Sequence, residues 1–418
     1  MSGHRFLSDD EVASTIREGL GRCPYDGKRV LVLVPDLTRT MPLPQFFRLI
    51  VEALRPRVKK VDFLVALGTH SPLDEAQMDQ LFGCAPGERA RDFADVAFLN
   101  HDWKNPDALT LVGTIPASEI KALSQGMLDL EVPVRLNKLV LDYDELFVCG
   151  PVFPHEVVGI SGGNKYFFPG IAGQDIIDVT HWIGALLTSY AIIGTKDTPV
   201  RRVIDRAAAM IPRPRRALCT VVQYDGVEGI FIGPIEEVWT QAADLAAQTH
   251  ITWVDRPYRQ VLSILPTMYD EIWVGAKGMY KLEPVLADGG EVILYAPHIH
   301  HISVVHGEMI RKIGYHCRDY FVKQWDQFKS FPWGTLAHST HLRGAGTFDP
   351  VMGKEELRIT VTLATSIPRD ECLALNLAWR DWRDLDIPTW EARAAGDPDL
   401  LVVHRAGEQL YRLRAGAH

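Results

Sequence analysis

Residues 29–36, Arg-Val-Leu-Val-Leu-Val-Pro-Asp, are apolar almost without interruption. A run of this kind predicts a strand buried on both faces, inside a parallel sheet. The period then changes. Phe46, Phe47, Ile50 and Leu54 fall on one face of a helix over 43–54. A second strand is predicted over 61–67, a helix over 74–81 and a third strand over 96–99. The strands end in polar residues: Asp36-Leu37-Thr38-Arg39, Gly68-Thr69-His70 and Asn100-His101-Asp102. Open α/β sheets bind ligands at the carboxyl ends of their strands. Asp36, Thr38, Arg39, His70 and His101 are therefore candidates for one shared rim. The competing expectation is that such residues face water or cap the next helix.

A short strand over 146–149 leads into the densest stretch of the chain. Helices are predicted over 175–190, with His181 in its middle, over 200–210 and over 237–248. Residues 217–232 form two β-rich runs around Asp225-Gly226, a hairpin pattern. After residues 252–257 the rhythm restarts. A strand over 261–265 is followed by a helix over 270–286, a Gly289-Gly290 turn and a strand over 292–295. A further strand is expected over 357–363, and the tail over 400–413 adds a last one. The fold class is α/β: two α/β domains, 1–254 and 255–418, with mainly parallel sheets flanking a cleft. The C-terminal tail can pack back on the first domain. A hinge near 252–257 would open and close such a cleft.

Candidate chemistry concentrates between His155 and His181. Glycines at 159, 162 and 163 allow a backbone to turn tightly and approach a ligand. Lys165 beside them is a fixed cation or a covalent nucleophile. The loop is not a P-loop, since Asn164 precedes the lysine and Tyr166 follows it. Nor is there a dinucleotide fingerprint: Gly344-Ala345-Gly346 has Asp349 where the third glycine belongs. His298, His300 and His301 alternate like metal ligands, but no carboxylate or cysteine lies nearby in sequence to complete a set. A polar strand end is the preferred expectation there. The aromatic-rich stretch over 320–333 is a candidate lid or interface; Tyr166-Phe167-Phe168 and the region 325–333 read as core, with pocket lining as the alternative.

Composition narrows the class. A net charge of -9 over 418 residues speaks against non-specific nucleic-acid binding. The longest apolar run, 182–194, is too short to span a bilayer, and the first residues carry no apolar signal segment. Six cysteines without a C-x-x-C pair fit reduced thiols in a cytoplasmic protein.

Together these residues resemble one family. Asp36-x-Thr38-Arg39 with Pro42, Leu67-Gly68-Thr69-His70, Asn100-His101-Asp102 and the run His155…Gly159…Gly162-Gly163-x-Lys165…His181 are similar to lactate racemase and its relatives, the nickel-pincer 2-hydroxy-acid racemases and epimerases. The resemblance is densest from 30 to 185. It implies an isomerase acting on a small-molecule 2-hydroxy acid by reversible hydride transfer. It implies a nickel-pincer nucleotide (nickel pyridinium bis-thiocarboxylic acid mononucleotide) attached covalently at Lys165, with His181 as nickel ligand. His70 and His155 would be the acid/base pair. Arg39 and Lys277 would hold substrate oxygens, and Asp36 would orient cofactor or substrate. Enzymes that build the cofactor would be partners. The resemblance departs at the glutamine expected near Lys277, which falls on Val274 or Gly275. A nicotinamide-dependent dehydrogenase and a non-catalytic hydroxy-acid-binding protein of the same fold are the alternatives.

Overall fold

The computed structural model describes residues 5–224 and 226–414. The chain forms two units. Unit 1 comprises Met1–Phe153, Ile160–Thr180 and Arg201–Thr249; unit 2 comprises Pro154–Gly159, His181–Val200 and His250–His418.

Unit 1 is built on a six-stranded sheet of β1 (Arg29–Val34), β2 (Lys60–Val65), β3 (Phe98–Asn100), β4 (Glu145–Pro151), β5 (Arg215–Gln223) and β6 (Gly226–Pro234). Their spatial order is β6-β5-β4-β1-β2-β3. All neighbours run parallel except the β5–β6 hairpin. Val30, Val32 and Val34 of β1 point into one apolar cluster, while Leu31 and Leu33, equally buried, face the opposite side. Both faces are covered, which is why β1 is apolar at every position after Arg29.

The helix Leu43–Leu54 covers one face. Its Phe47 sits at the centre of an aromatic group, with ring centroids 5.2 Å from Phe63, 5.1 Å from Phe82 and 4.8 Å from Phe93. A helix at Asp9–Gly21, unforeseen from the pattern, joins this layer. Ser8 and Glu11 close its first turn as a capping box, and Val12, Ile16 and Leu20 form its buried stripe. At Gly19 a Cβ atom would come within 2.6 Å of Ile232 on β6, so only glycine lets the helix lie this close to the sheet.

Unit 2 holds a second sheet, wholly parallel, of β7 (Tyr258–Ile264), β8 (Leu286–Ala296), β9 (Thr360–Thr365), β10 (Ala378–Trp379) and β11 (Leu400–Val403). The order is β10-β9-β8-β7-β11. The tail strand Leu410–Leu413 pairs in parallel with Ile251–Val254. The helix expected over 270–286 is broken into Ile272–Gly275, Lys277–Tyr280 and a 3-10 turn at Glu283–Val285. Gly278 explains the break. Its carbonyl accepts from Ser263 Oγ at 2.9 Å, and a Cβ there would meet Leu265 at 2.2 Å, so this stretch lies flat on the end of β7. Gly289-Gly290 is not a turn before a strand but part of β8, with a register shift opposite Tyr258 and Gln260. Among the described residues no helix is long and apolar enough to cross a membrane. All six cysteines are free and buried.

Phe47→Ala is expected to cost about 3–5 kcal/mol, the usual range for emptying a buried aromatic site. A lower urea midpoint would show this; an unchanged midpoint would mean that the aromatic group does not carry the layer.

Candidate functional site

The strand ends of unit 1 deliver Asp36 after β1 and His70 after β2. Because β1 and β2 are parallel and in register, their carboxyl ends share one edge of the sheet. The two side chains meet there: the Asp36 carboxylate takes a short hydrogen bond from His70 Nδ1. The other Asp36 oxygen accepts from Thr38 N–H at 3.0 Å and Thr38 Oγ1 at 2.6 Å. Thr38 Oγ1 in turn accepts from Arg39 Nη1 at 2.6 Å. The Arg39 guanidinium lies 5.8 Å from the Phe153 ring centre. Burial alone would raise the Asp36 carboxyl. The His70 ring, Arg39 and Thr38 outweigh it and hold the group well below the usual carboxylate range. An ionised carboxylate on Nδ1 leaves His70 Nε2 as the nitrogen that can exchange a proton.

His101, expected on the same rim, is engaged elsewhere. It is fully buried, with Nε2 3.0 Å from the Ala172 carbonyl and Nδ1 accepting from Asn137 at 3.2 Å. Burial pushes its ring down to about 4. His101 is a neutral structural brace.

The glycine loop is held by neighbours that the sequence did not announce. At Gly162 and Gly163 the backbone is left-handed, and Cβ atoms would lie 2.6 Å from Val152 and 2.9 Å from the Trp239 ring. Trp239 Nε1 donates to the Ser161 carbonyl at 2.7 Å. Buried Arg201 stacks on the Trp239 ring at 4.2 Å and donates to the Ile160 and Gly162 carbonyls. Lys165 follows in the single turn Gly163–Tyr166, half-buried. Its carbonyl accepts from Gly170 N–H at 3.1 Å, and the Gly170 carbonyl accepts from Gly68 N–H at 2.9 Å. The lysine loop and the His70 turn are thereby tied together within unit 1. Tyr166, Phe167 and Phe168 are core, as the bland expectation had it.

Unit 2 carries the other candidates. His155 is buried, with Nδ1 3.1 Å from the Val157 N–H and 3.2 Å from the Glu156 carboxylate. Its segment is held by Gly184, where a Cβ would lie 2.9 Å from the Val157 carbonyl, and by the Gly194 N–H donating to Gly159 at 2.8 Å. His181 sits half-buried in the helix Gln174–Leu187. Lys277 is 9% exposed, its ammonium 4.8 Å from the Tyr269 ring centre. Val274 is buried and Gly275 lies against Leu265. No amide stands at either position. Beside them Trp273 is sandwiched between two imidazoles, His306 at 4.0 Å and His338 at 3.9 Å, a stack that sequence inspection missed because its members are far apart in the chain.

The His298-x-His300-His301 stretch does not gather a metal set. His298 is bonded to the Tyr269 carbonyl at 3.0 Å, His300 and His301 are exposed, and no group of three metal-ligating side chains occurs among the described residues. The aromatics of 320–333 largely pack on one another, and Trp325 also stacks on Trp182.

The chain is similar to known proteins. Residues 15–192 match the family Lactate racemase N-terminal domain. A lactate racemase from Thermoanaerobacterium thermosaccharolyticum is 27% identical over 278 residues, covering 64% of this chain and 60% of that protein. A protein of known crystal structure from Thermotoga maritima is 33% identical, with a TM-score of 0.88 over 99% of this chain and 100% of its own. The lactate racemase apoprotein from Thermoanaerobacterium thermosaccharolyticum shares the fold, with a TM-score of 0.72 at 19% identity over 98% of this chain and 93% of its own. The chain thus carries a lactate racemase N-terminal domain over residues 15–192.

The residues fit a tethered, metal-bearing nucleotide. The lysine stands on a loop that admits no side chain at its glycines. Adjoining Lys165, the buried side-chain oxygen Oδ1 of Asn164 has no hydrogen-bond partner, although Nδ2 of the same amide donates to Asp205 and Glu236. An orphaned acceptor beside Lys165 is suited to a donor on a bound group. His181 offers an imidazole, a ligand nickel accepts.

His101 sets a pH dependence. Its ring titrates lower folded than unfolded, so the unfolded chain binds the extra proton between about pH 6.5 and 4, and stability falls as pH falls through that window. From pH 7 to 5 the loss is about 2 kcal/mol. His101→Asn should shrink the drop in urea midpoint between these two pH values; an equal drop would assign the acid sensitivity to other groups.

Proposed function

We propose that this protein is a 2-hydroxy-acid racemase or epimerase that works through a nickel-pincer nucleotide carried on Lys165. The observation that carries this is the joining, within unit 1, of the lysine loop to the turn bearing the Asp36–His70 pair. The match of residues 15–192 to the lactate racemase N-terminal domain and the likeness to a lactate racemase support it.

When bound, the nucleotide supplies a reversible acceptor for the hydride on the substrate's α-carbon. The chain's own residues do the rest. His70, with Nδ1 committed to Asp36, uses Nε2 to take the hydroxyl proton of one enantiomer as the α-carbon flattens to a 2-keto acid, and returns it on reversal. His155 serves the other enantiomer in the same way. An acid/base pair of this kind contributes about 10²–10⁴-fold. Arg39 is held by Thr38 in a fixed direction and binds the substrate's oxygens, and Lys277 supplies a second cation. His181 ligates the nickel. The missing amide at Val274 and Gly275, with Trp273 stacked beside them, supports a substrate other than lactate.

Protein made alongside the enzymes that build the nucleotide should gain mass and about one nickel per chain, and Lys165→Ala should gain neither. An unmodified wild-type mass under those conditions would refute the proposal. Asp36→Asn should keep the adduct but lower turnover by about 10²–10⁴-fold, measured as loss of optical purity of a 2-hydroxy acid. Full turnover in that variant would remove the orienting role of Asp36.

A further inference from the structure

The helix Trp333–Arg343 of unit 2 carries two buried histidines one turn apart, His338 and His341. His338 is accounted for by its stack on Trp273 and its bond to the Trp273 carbonyl at 3.1 Å. His341 is not. It is 3% exposed, and neither ring nitrogen has a hydrogen-bond partner. Leaving such a group unsatisfied is destabilising, so it calls for an explanation.

Its surroundings supply one. His341 and Thr340 wall a cavity of about 110 Å³, with Ala185, Glu283 and Arg318 on other sides. Ala185 is one helical turn beyond His181 and on the same face. The seam that buries His341 therefore includes the helix face on which His181 stands. One Glu283 carboxyl oxygen accepts the Ala345 N–H at 2.7 Å, while the other has no partner. A cavity with such polar walls is roomy enough for water.

A metal-bound imidazole nearly always uses its second ring nitrogen in a hydrogen bond that fixes its tautomer and angle. We propose that His341 is the positioning residue that supplies this bond to His181, directly or through a water molecule of the cavity. The inference rests on the nickel reading of His181 given above. A neutral imidazole accepts the N–H without adding charge beside a metal. The unsatisfied nitrogens of the metal-free chain are then the counterpart of a bond made when metal binds.

The test compares wild type, His341→Leu and His341→Gln, each made with the cofactor-building enzymes and then exposed to a strong chelator. Intact mass reports the Lys165 adduct, and nickel per chain is followed with time. His341→Leu is expected to keep the adduct but release nickel about 10–100-fold faster than wild type, the usual loss when an outer-shell partner is removed. His341→Gln, which restores an acceptor, should fall between. Without cofactor, His341→Leu should melt no lower than wild type, because it removes an unsatisfied polar group. Nickel retention equal to wild type in His341→Leu would overturn the inference. So would a release as fast in His341→Gln as in His341→Leu. If His341→Leu fails to fold, His341→Ala takes its place with the same two outcomes. A wild-type chain with neither adduct nor nickel would instead overturn the cofactor reading, and this inference with it.

Discussion

A carboxylate as buried as that of Asp36 keeps its charge only where cations and donors surround it. That requirement organises unit 1. Thr38 and Arg39 must turn back toward the end of β1, and His70 must come across from the end of β2. The His70 turn is fastened to Gly170, and Gly170 to Lys165. The parallel register of two strands thus decides, through one buried charge, where a lysine far along the chain is presented. Arg201 and Trp239 secure the other side of that loop through backbone carbonyls rather than through its side chains. The loop residues remain available for chemistry because outside groups hold their main chain.

Unit 2 solves a similar problem by close approach. Gly184 brings a helix onto the carbonyl of Val157, and Gly278 lays a broken helix on Ser263 and Leu265. In both places an absent side chain lets backbone meet backbone or core directly. Each fixes a histidine or lysine just beside it, His155 in one case and Lys277 in the other.

Legibility in the sequence followed the range of the forces involved. β1 and the helix Leu43–Leu54 were plain because burial repeats locally, on every residue or every helical turn. The helix Asp9–Gly21 had its signal too, in Ser8, Glu11 and the stripe of Val12, Ile16 and Leu20, yet was not singled out. The broken helix after residue 270 read as continuous because the partners of its Gly278, Ser263 and Leu265, belong to another part of the chain. The strand Leu109–Ile115, mostly half-buried, gave no strong alternation, and its partner Val132–Asn137, which does alternate, was not singled out. Polar strand ends pointed to Asp36, Arg39 and His70. The same rule also picked out His101, which serves as a brace, because a sequence does not say which way a loop side chain turns. Arg201, Trp239, Trp273 and His341 matter through partners distant in sequence, and nothing in their own neighbourhoods marks them.

The division of the chain between its two units has a consequence for how such a protein is made and inherited. The path changes unit after residues 153, 159, 180, 200 and 249. Neither unit is a contiguous piece, so no single cut releases one of them intact. During synthesis the residues from Pro154 to Gly159 leave the ribosome well before the strands of their own sheet exist. Recombination cannot exchange one unit for another by joining gene fragments end to end. Change in such a chain has to come by substitution in place.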